Sequence, residues 1–152
     1  MTDALKNALS SVVVPLLRRP KRLQVAALCF RGDGATRKIL LITSRDSRRW
    51  VLPKGWPIDG LDAPGSALQE AWEEAGVKKA TIDPEILGTY DYDKRLDGGA
   101  EVKVEVQVYA TEVDKLVDVF PEMEERNRKW VSPTAAADMV EEPGLQQLLR
   151  QI

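Results

Sequence analysis

There is no histidine anywhere in this chain, and only one cysteine. The first absence removes histidine-based nucleophile activation and histidine-ligated zinc, which leaves acid–base work to carboxylates, lysines, tyrosines or metal-bound water. The second rules out a disulfide framework within one chain and suits a reducing, cytoplasmic setting. Cys29 itself lies in the apolar run of residues 25–30 and reads as a buried, unreactive strand residue. Long hydrophobic runs are missing as well: the N-terminal stretch 12–17 is too short to span a bilayer and lacks a cleavage-type end, so no membrane segment is expected. With a net charge of −2 there is no general excess of cations for a nucleic-acid polymer. Most of the local basic clusters (residues 18–22, Arg45 with Arg48 and Arg49, Lys94 with Arg95, and Arg126 with Arg128 and Lys129) read as solvated surface.

What remains is a chain of 152 residues with 43% hydrophobic content, enough to bury one core. A single domain over 1–152 is expected, its core at about 21–140, with the segment 1–20 and a C-terminal helix over 143–152 peripheral. Apolar runs at 23–30 and 38–43, separated by Gly32-Asp33-Gly34, predict a hairpin, and 50–52 a third short strand. A helix is expected from Asp62 or Ala63, with Asp62 as cap and Pro64 in the first turn, to a left-handed Gly76. Residues 85–92 read as a strand. In the next one Val102, Val104, Val106 and Val108 alternate with Glu101, Lys103, Glu105 and Gln107, so the polar set forms one face. That face is either ordinary exposed surface or the floor of a cleft to which Glu101 or Glu105 adds a carboxylate. Residues 128–131 predict a last strand, and 133–139 and 143–152 helices.

Within the predicted central helix Glu70, Glu73 and Glu74 stand at i, i+3 and i+4. At about 3.6 residues per turn these positions share a sector of roughly 100°, so three mutually repelling carboxylates leave one face. A solvated acidic face is one explanation. A hard divalent cation, Mg²⁺ or Mn²⁺, that offsets the repulsion is the other. Trp72, lying between them, must point away and is expected in the core, and Trp56 is the tryptophan best placed to stack a base.

The stretch from Gly55 to Val77 resembles the Nudix box of the Nudix hydrolases: Gly, five residues, Glu, seven residues, Arg-Glu, a bulky aliphatic, any residue, Glu-Glu, any residue, Gly, aliphatic. Gly55, Glu70, Glu73, Glu74, Gly76 and Val77 match in register. Leu61 stands where the family has Glu, Gln69 where it has Arg, and Ala71 matches the bulky position weakly. The resemblance extends over about 23–139. Residues 28–31, Ser44-Arg45, Arg49-Trp50 and Pro53-Lys54-Gly55 are most similar to the diphosphoinositol polyphosphate and dinucleoside polyphosphate hydrolases.

The resemblance implies an α+β fold, an αβα sandwich with a mixed β-sheet. It implies hydrolysis of a phosphoanhydride in a nucleoside- or inositol-polyphosphate type substrate by water attack on phosphorus, dependent on Mg²⁺ or Mn²⁺. Glu70, Glu73 and Glu74 would then be the metal-binding and water-activating carboxylates, Glu70 foremost, and the carbonyl of Lys54 or Gly55 a further ligand. Arg45, Arg49 and Lys54 would hold terminal phosphates. The partner implied is a small di- or polyphosphate, and a homodimer is left open. Leu61 and Gln69 remove both members of a family pair that braces the loop, which is milder than removing one. They also motivate an alternative, a catalytically weakened Nudix-like ligand-binding or regulatory domain.

Overall fold

Strand alternation sends side chains to two faces of one sheet, and in this protein helices cover both. The computed structural model describes residues 21–152, so the segment 1–20, with Arg18 and Arg19, lies outside the described residues. The strands are β1 (Arg22–Arg31), β2 (Lys38–Thr43), β3 (Trp50–Val51), β4 (Lys54–Gly55), β5 (Val77–Ile82), β6 (Gly88–Arg95), β7 (Glu101–Leu116) and β8 (Arg128–Val131); the helices are α1 (Ala63–Ala75), α2 (Pro133–Met139) and α3 (Pro143–Arg150). They form one eight-stranded sheet whose main path runs β3-β2-β1-β7-β5, with β4 on β1, β6 on β7 and β8 on β2. β1 lies parallel to β7 and antiparallel to β2, so the sheet is mixed, as expected.

On one face Val25, Ala27, Cys29, Leu40 and Ile42 meet Ala67, Ala71 and Ala75 of α1. Alanines at i, i+4 and i+8 let the helix lie close to the sheet, and Glu74 is buried at the margin of the same face. On the opposite face Ala26, Leu28, Ile39, Leu41 and the β7 valines Val104, Val106 and Val108 pack against α2 and α3. Cys29 is fully buried, and burial pushes its thiol up to about 12, which fits the inert strand residue expected.

α1 is bounded as its sequence predicts. Asp62 accepts the Gly65 N–H at 2.7 Å, and Gly76 closes the helix at φ 75°. The C-terminal helix differs from expectation. Leu145 and Leu149 of α3 are fully buried within the second core, so α3 is part of the core rather than peripheral. Two such side chains contribute roughly 1.5–3 kcal/mol each, and their one-turn spacing is what an amphipathic helix needs to seat on a sheet. β5 was not anticipated. β6 starts three residues later than expected, because Asp83 accepts the Glu85 N–H at 3.0 Å in an Asp-Pro turn that delays pairing. β7 continues well past the valine alternation, through Thr111 and Val113 to Leu116. Among the described residues no helix is long and apolar enough to cross a membrane.

Candidate active site

Two short elements deliver the site. β4 pairs with β1, Val25 opposite Gly55 and Ala26 opposite Lys54, and this brings the Lys54-Gly55 backbone against the edge of α1 that carries Glu70 and Glu74. At Gly55 a side chain is impossible without rearrangement: a Cβ would stand 2.5 Å from Cδ of Glu70 and 2.6 and 2.8 Å from its carboxylate oxygens. The glycine is therefore a cradle for the Glu70 carboxylate. Gly55→Ala is expected to displace the flexible end of Glu70 rather than the backbone, lowering kcat by about ten- to a hundredfold with little change in Tm. Steady-state kinetics beside a thermal melt on the same preparation checks it.

Glu70 and Glu74, one turn apart, lie close enough for each to shift the titration of the other. Glu74 is only 7% exposed. Its Oε1 accepts the Lys54 N–H at 3.2 Å, and its Oε2 lies 3.5 Å from Nη2 of Arg126. Burial, then the hydrogen bond and charge of Glu74, then the charges of Glu73 and Glu122, push the Glu70 carboxyl up to about 8. Burial also raises Glu74, and Arg126 and Lys54 oppose that rise. Desolvation brings the Lys54 ammonium down to about 8.

The pair opens on a cavity of about 410 Å³ lined by Arg45, Lys54, Gly55, Trp56, Tyr92 and Arg126 among others. Trp56, 38% exposed, stands at this cavity, where a base or other ring can reach it. A second cavity of about 400 Å³ adjoins it across Lys54 and Tyr92 and presents Arg49, Lys94 and Arg95 with Ser44 and Ser47. Of the residues expected at phosphates, Arg45 and Lys54 thus reach the first cavity. Arg49 reaches the second and is bound to Glu141 at 3.1 Å and Glu142 at 3.3 Å.

Glu73 is not brought in. It accepts a hydrogen bond from Nε2 of Gln69 at 3.0 Å, away from the cavity lining. Accordingly, among the described residues no three acidic, histidine or cysteine side chains stand together as a ready ion cage. The donor set still fits a hard ion. A buried and a half-buried carboxylate one turn apart, beside a backbone that a Cβ would block, are hard oxygen donors.

Both departures from the box fall elsewhere. Leu61, 46% exposed, and Gln69 line an outer groove with Leu68 and Trp72, on the far side of α1 from the carboxylate pair. Trp72 does point away from the pair, but it is half-buried in that groove beneath the Lys78 ammonium, 4.9 Å from the ring centroid, and not in the core as expected. Neither Glu101 nor Glu105 lines the cavity.

Arg126 and Glu122 were not anticipated. The Arg126 side chain is 7% exposed; it donates to Glu122 Oε1 from Nε at 3.1 Å and Nη2 at 2.9 Å, and to the Thr43 carbonyl at 3.1 Å. Its neighbour Arg128 donates to the carbonyls of Ala75 and Val117 at 2.9 and 2.8 Å, tying down the C-terminal end of α1. The basic cluster read as solvated surface is thus partly interior. The alternation of Arg126 and Arg128 at the start of β8 is the one signal the sequence held, and it is common to exposed strands.

A family model described as NUDIX domain matches residues 20–152. Among curated proteins, human diphosphoinositol polyphosphate phosphohydrolase 3-alpha is 28% identical over 109 residues, covering 70% of this chain and 62% of that protein, so the match spans less than two thirds of that relative's length. Among solved structures, a C. elegans Ap4A hydrolase superposes with TM-score 0.62 at 20% identity, covering 87% of this chain and 96% of the other. The NUDIX domain of Shewanella oneidensis NrtR, complexed with ADP ribose, gives TM-score 0.60 at 20% identity over 99% of this chain and 98% of its own. At such identities the structural likeness speaks to the αβα fold alone.

Proposed function

The chain belongs to the Nudix family, and from that membership we propose that it is a pyrophosphohydrolase, cleaving a phosphoanhydride in a small nucleoside- or inositol-polyphosphate type substrate by attack of water on phosphorus. The observation that carries the reading is the pair of half-buried Glu70 and buried Glu74 facing Arg45, Lys54 and Arg126 in one cavity. Carboxylates repel phosphates, so such a pocket makes sense when a divalent cation lies between them.

Glu70, Glu74 and the Gly55 carbonyl would hold Mg²⁺ or Mn²⁺, with Glu73 joining once it releases Gln69. When bound, the ion supplies neutralisation of phosphate charge and a more acidic water. The side chains do the rest. Glu74, gripped at both oxygens, keeps its orientation. Glu70, seated in the Gly55 cradle, takes the proton of the attacking water on a carboxylate oxygen. Arg45 and Lys54 hold the phosphates in line and balance the charge that builds as the anhydride breaks.

The adjoining cavity with Arg49, Lys94 and Arg95 supports a substrate with a further anionic group, as the human relative's name would suggest. A panel of diphosphoinositol polyphosphates, dinucleoside polyphosphates, nucleoside triphosphates and ADP-ribose, assayed with Mg²⁺ or Mn²⁺, tests this. Metal-dependent release is expected, with the highest kcat/KM on the most highly phosphorylated member. The second reading, a ligand-binding domain without turnover, is favoured by one observation, the Gln69–Glu73 hydrogen bond that keeps the third carboxylate away. No release from any member, together with calorimetric binding of one of them, would establish it instead.

A further inference from the structure

Position 69, where the family box has Arg, is Gln, and it gives Glu73 a neutral donor. The guanidinium nearest the carboxylate pair comes from another part of the fold. Arg126 precedes β8, and its neighbour fixes it to the end of β2: the Asn127 N–H donates to Thr43 Oγ1 at 2.9 Å, and the Thr43 N–H donates to the Asn127 carbonyl at 3.0 Å. Its own Nη1 reaches the Thr43 carbonyl, its Nε and Nη2 share one oxygen of Glu122, and Nη2 faces Glu74. The fork therefore joins two acids from different segments, Glu74 of α1 and Glu122 of the loop before β8, and it is tied to the end of β2. With Lys54 N–H on the other oxygen of Glu74, both oxygens of that carboxylate are fixed. A buried, forked cation is suited to this, since a lysine holds a carboxylate through a flexible point charge.

We propose that Arg126 is a positioning residue, a resident counter-cation that orients Glu74 and bridges it to Glu122, giving the site from the β2–β8 end the guanidinium that its box lacks. Its effect on turnover rests on the hydrolase reading; its effect on ion uptake does not. As a cation beside Glu74 it also competes with a divalent ion. Removing it leaves the acids more attractive to the ion but less well aimed.

Two variants and two readouts test the proposal. In R126Q, Mn²⁺ titrated calorimetrically into metal-free protein without substrate should bind about three- to tenfold more tightly, while kcat falls about tenfold or more at a KM within about twofold of the original. R126K, which keeps the charge and loses the fork, should take up Mn²⁺ as the original does and still lose about threefold or more in kcat. It is the variant to read if R126Q does not fold. Raised KM with unchanged kcat in R126Q would make Arg126 a phosphate ligand and overturn the proposal. Unchanged or weaker Mn²⁺ binding in R126Q, or full kcat in R126K, would overturn it too. Should the unaltered protein turn over no substrate, the hydrolase reading fails while the Mn²⁺ arm still decides the role of Arg126.

Discussion

Glu74→Gln is expected to lower kcat by about a thousandfold or more, Glu70→Gln nearly as much, and Glu73→Gln least, all with the fold retained. The order follows from position. Glu74 is the most buried of the pair, with Lys54 on one oxygen and Arg126 on the other, so an amide there presents a donor where an acceptor is needed and halves the charge offered to an ion. Glu70 sits in the Gly55 cradle and accepts the proton of the attacking water, which an amide cannot do. Glu73 lies outside the cavity lining, engaged with Gln69, and its replacement removes charge at longer range. Stability should hold or rise slightly in Glu70→Gln, most of all at alkaline pH, where the replaced carboxyl would carry a charge beside Glu74. Kinetics of the three variants with saturating Mn²⁺, beside chemical denaturation, checks both parts. Near-normal turnover of Glu74→Gln would remove the carboxylate pair from the chemistry.

In EDTA, the protein is expected to lose stability as pH rises from about 4.5 to about 8, and Mg²⁺ or Mn²⁺ to restore most of that loss. Glu70 is raised from an ordinary 4.5 to about 8 in the folded protein, so between those values the native state holds a proton that the unfolded chain has released. Bound protons are then more numerous in the native state and the slope of unfolding free energy against pH is negative. The contribution is fully present below about 4.5 and lost through about 8. After allowance for the solvent that reaches the half-buried carboxyl, the swing is about 2 kcal/mol, or roughly 4–8 °C in Tm for a domain of this size. Lys54 acts in the next window. Its pKa, lowered to about 8, means the unfolded chain binds the extra proton above that point, so stability turns upward with further rise in pH. A divalent ion that takes the place of the shared proton should stabilise more at pH 8 than at pH 5. Melting curves with and without Mn²⁺ at the two pH values measure it; an equal Mn²⁺ shift at both would separate the ion from the pair.

The parts of this site legible in the sequence are those set by local rules. Asp62, Pro64 and Gly76 fix the helix ends through capping and a left-handed residue, and the helical period then puts Glu70 and Glu74 together at the margin of the alanine face, with Glu74 buried beside Ala71 and Ala75. Gly55 could be singled out because its spacing from Glu70 is that of the box, although only the β4–β1 pairing shows that its missing side chain makes room for a carboxylate. What could not be read depends on contacts far apart in the chain. Arg126 meets Glu74 and the Thr43 carbonyl only because β8 pairs with β2, a register that no local pattern specifies. The same holds for α3, whose Leu145 and Leu149 look like any amphipathic stripe until β6 is placed beneath them. Trp72 lies shallower than its pattern predicts for a related reason. Its direction followed from the helix period, but the depth of the surface it met is a property of β5, a strand rich in lysine whose sequence gives little sign of pairing.

Titration calorimetry with Mn²⁺ on metal-free protein, in the presence of a non-hydrolysable polyphosphate, addresses the paired carboxylates most directly. Saturable uptake by the unaltered protein, abolished when Glu70 and Glu74 are both replaced by Gln, is the predicted result. No uptake, or the same uptake in the double variant, would contradict it.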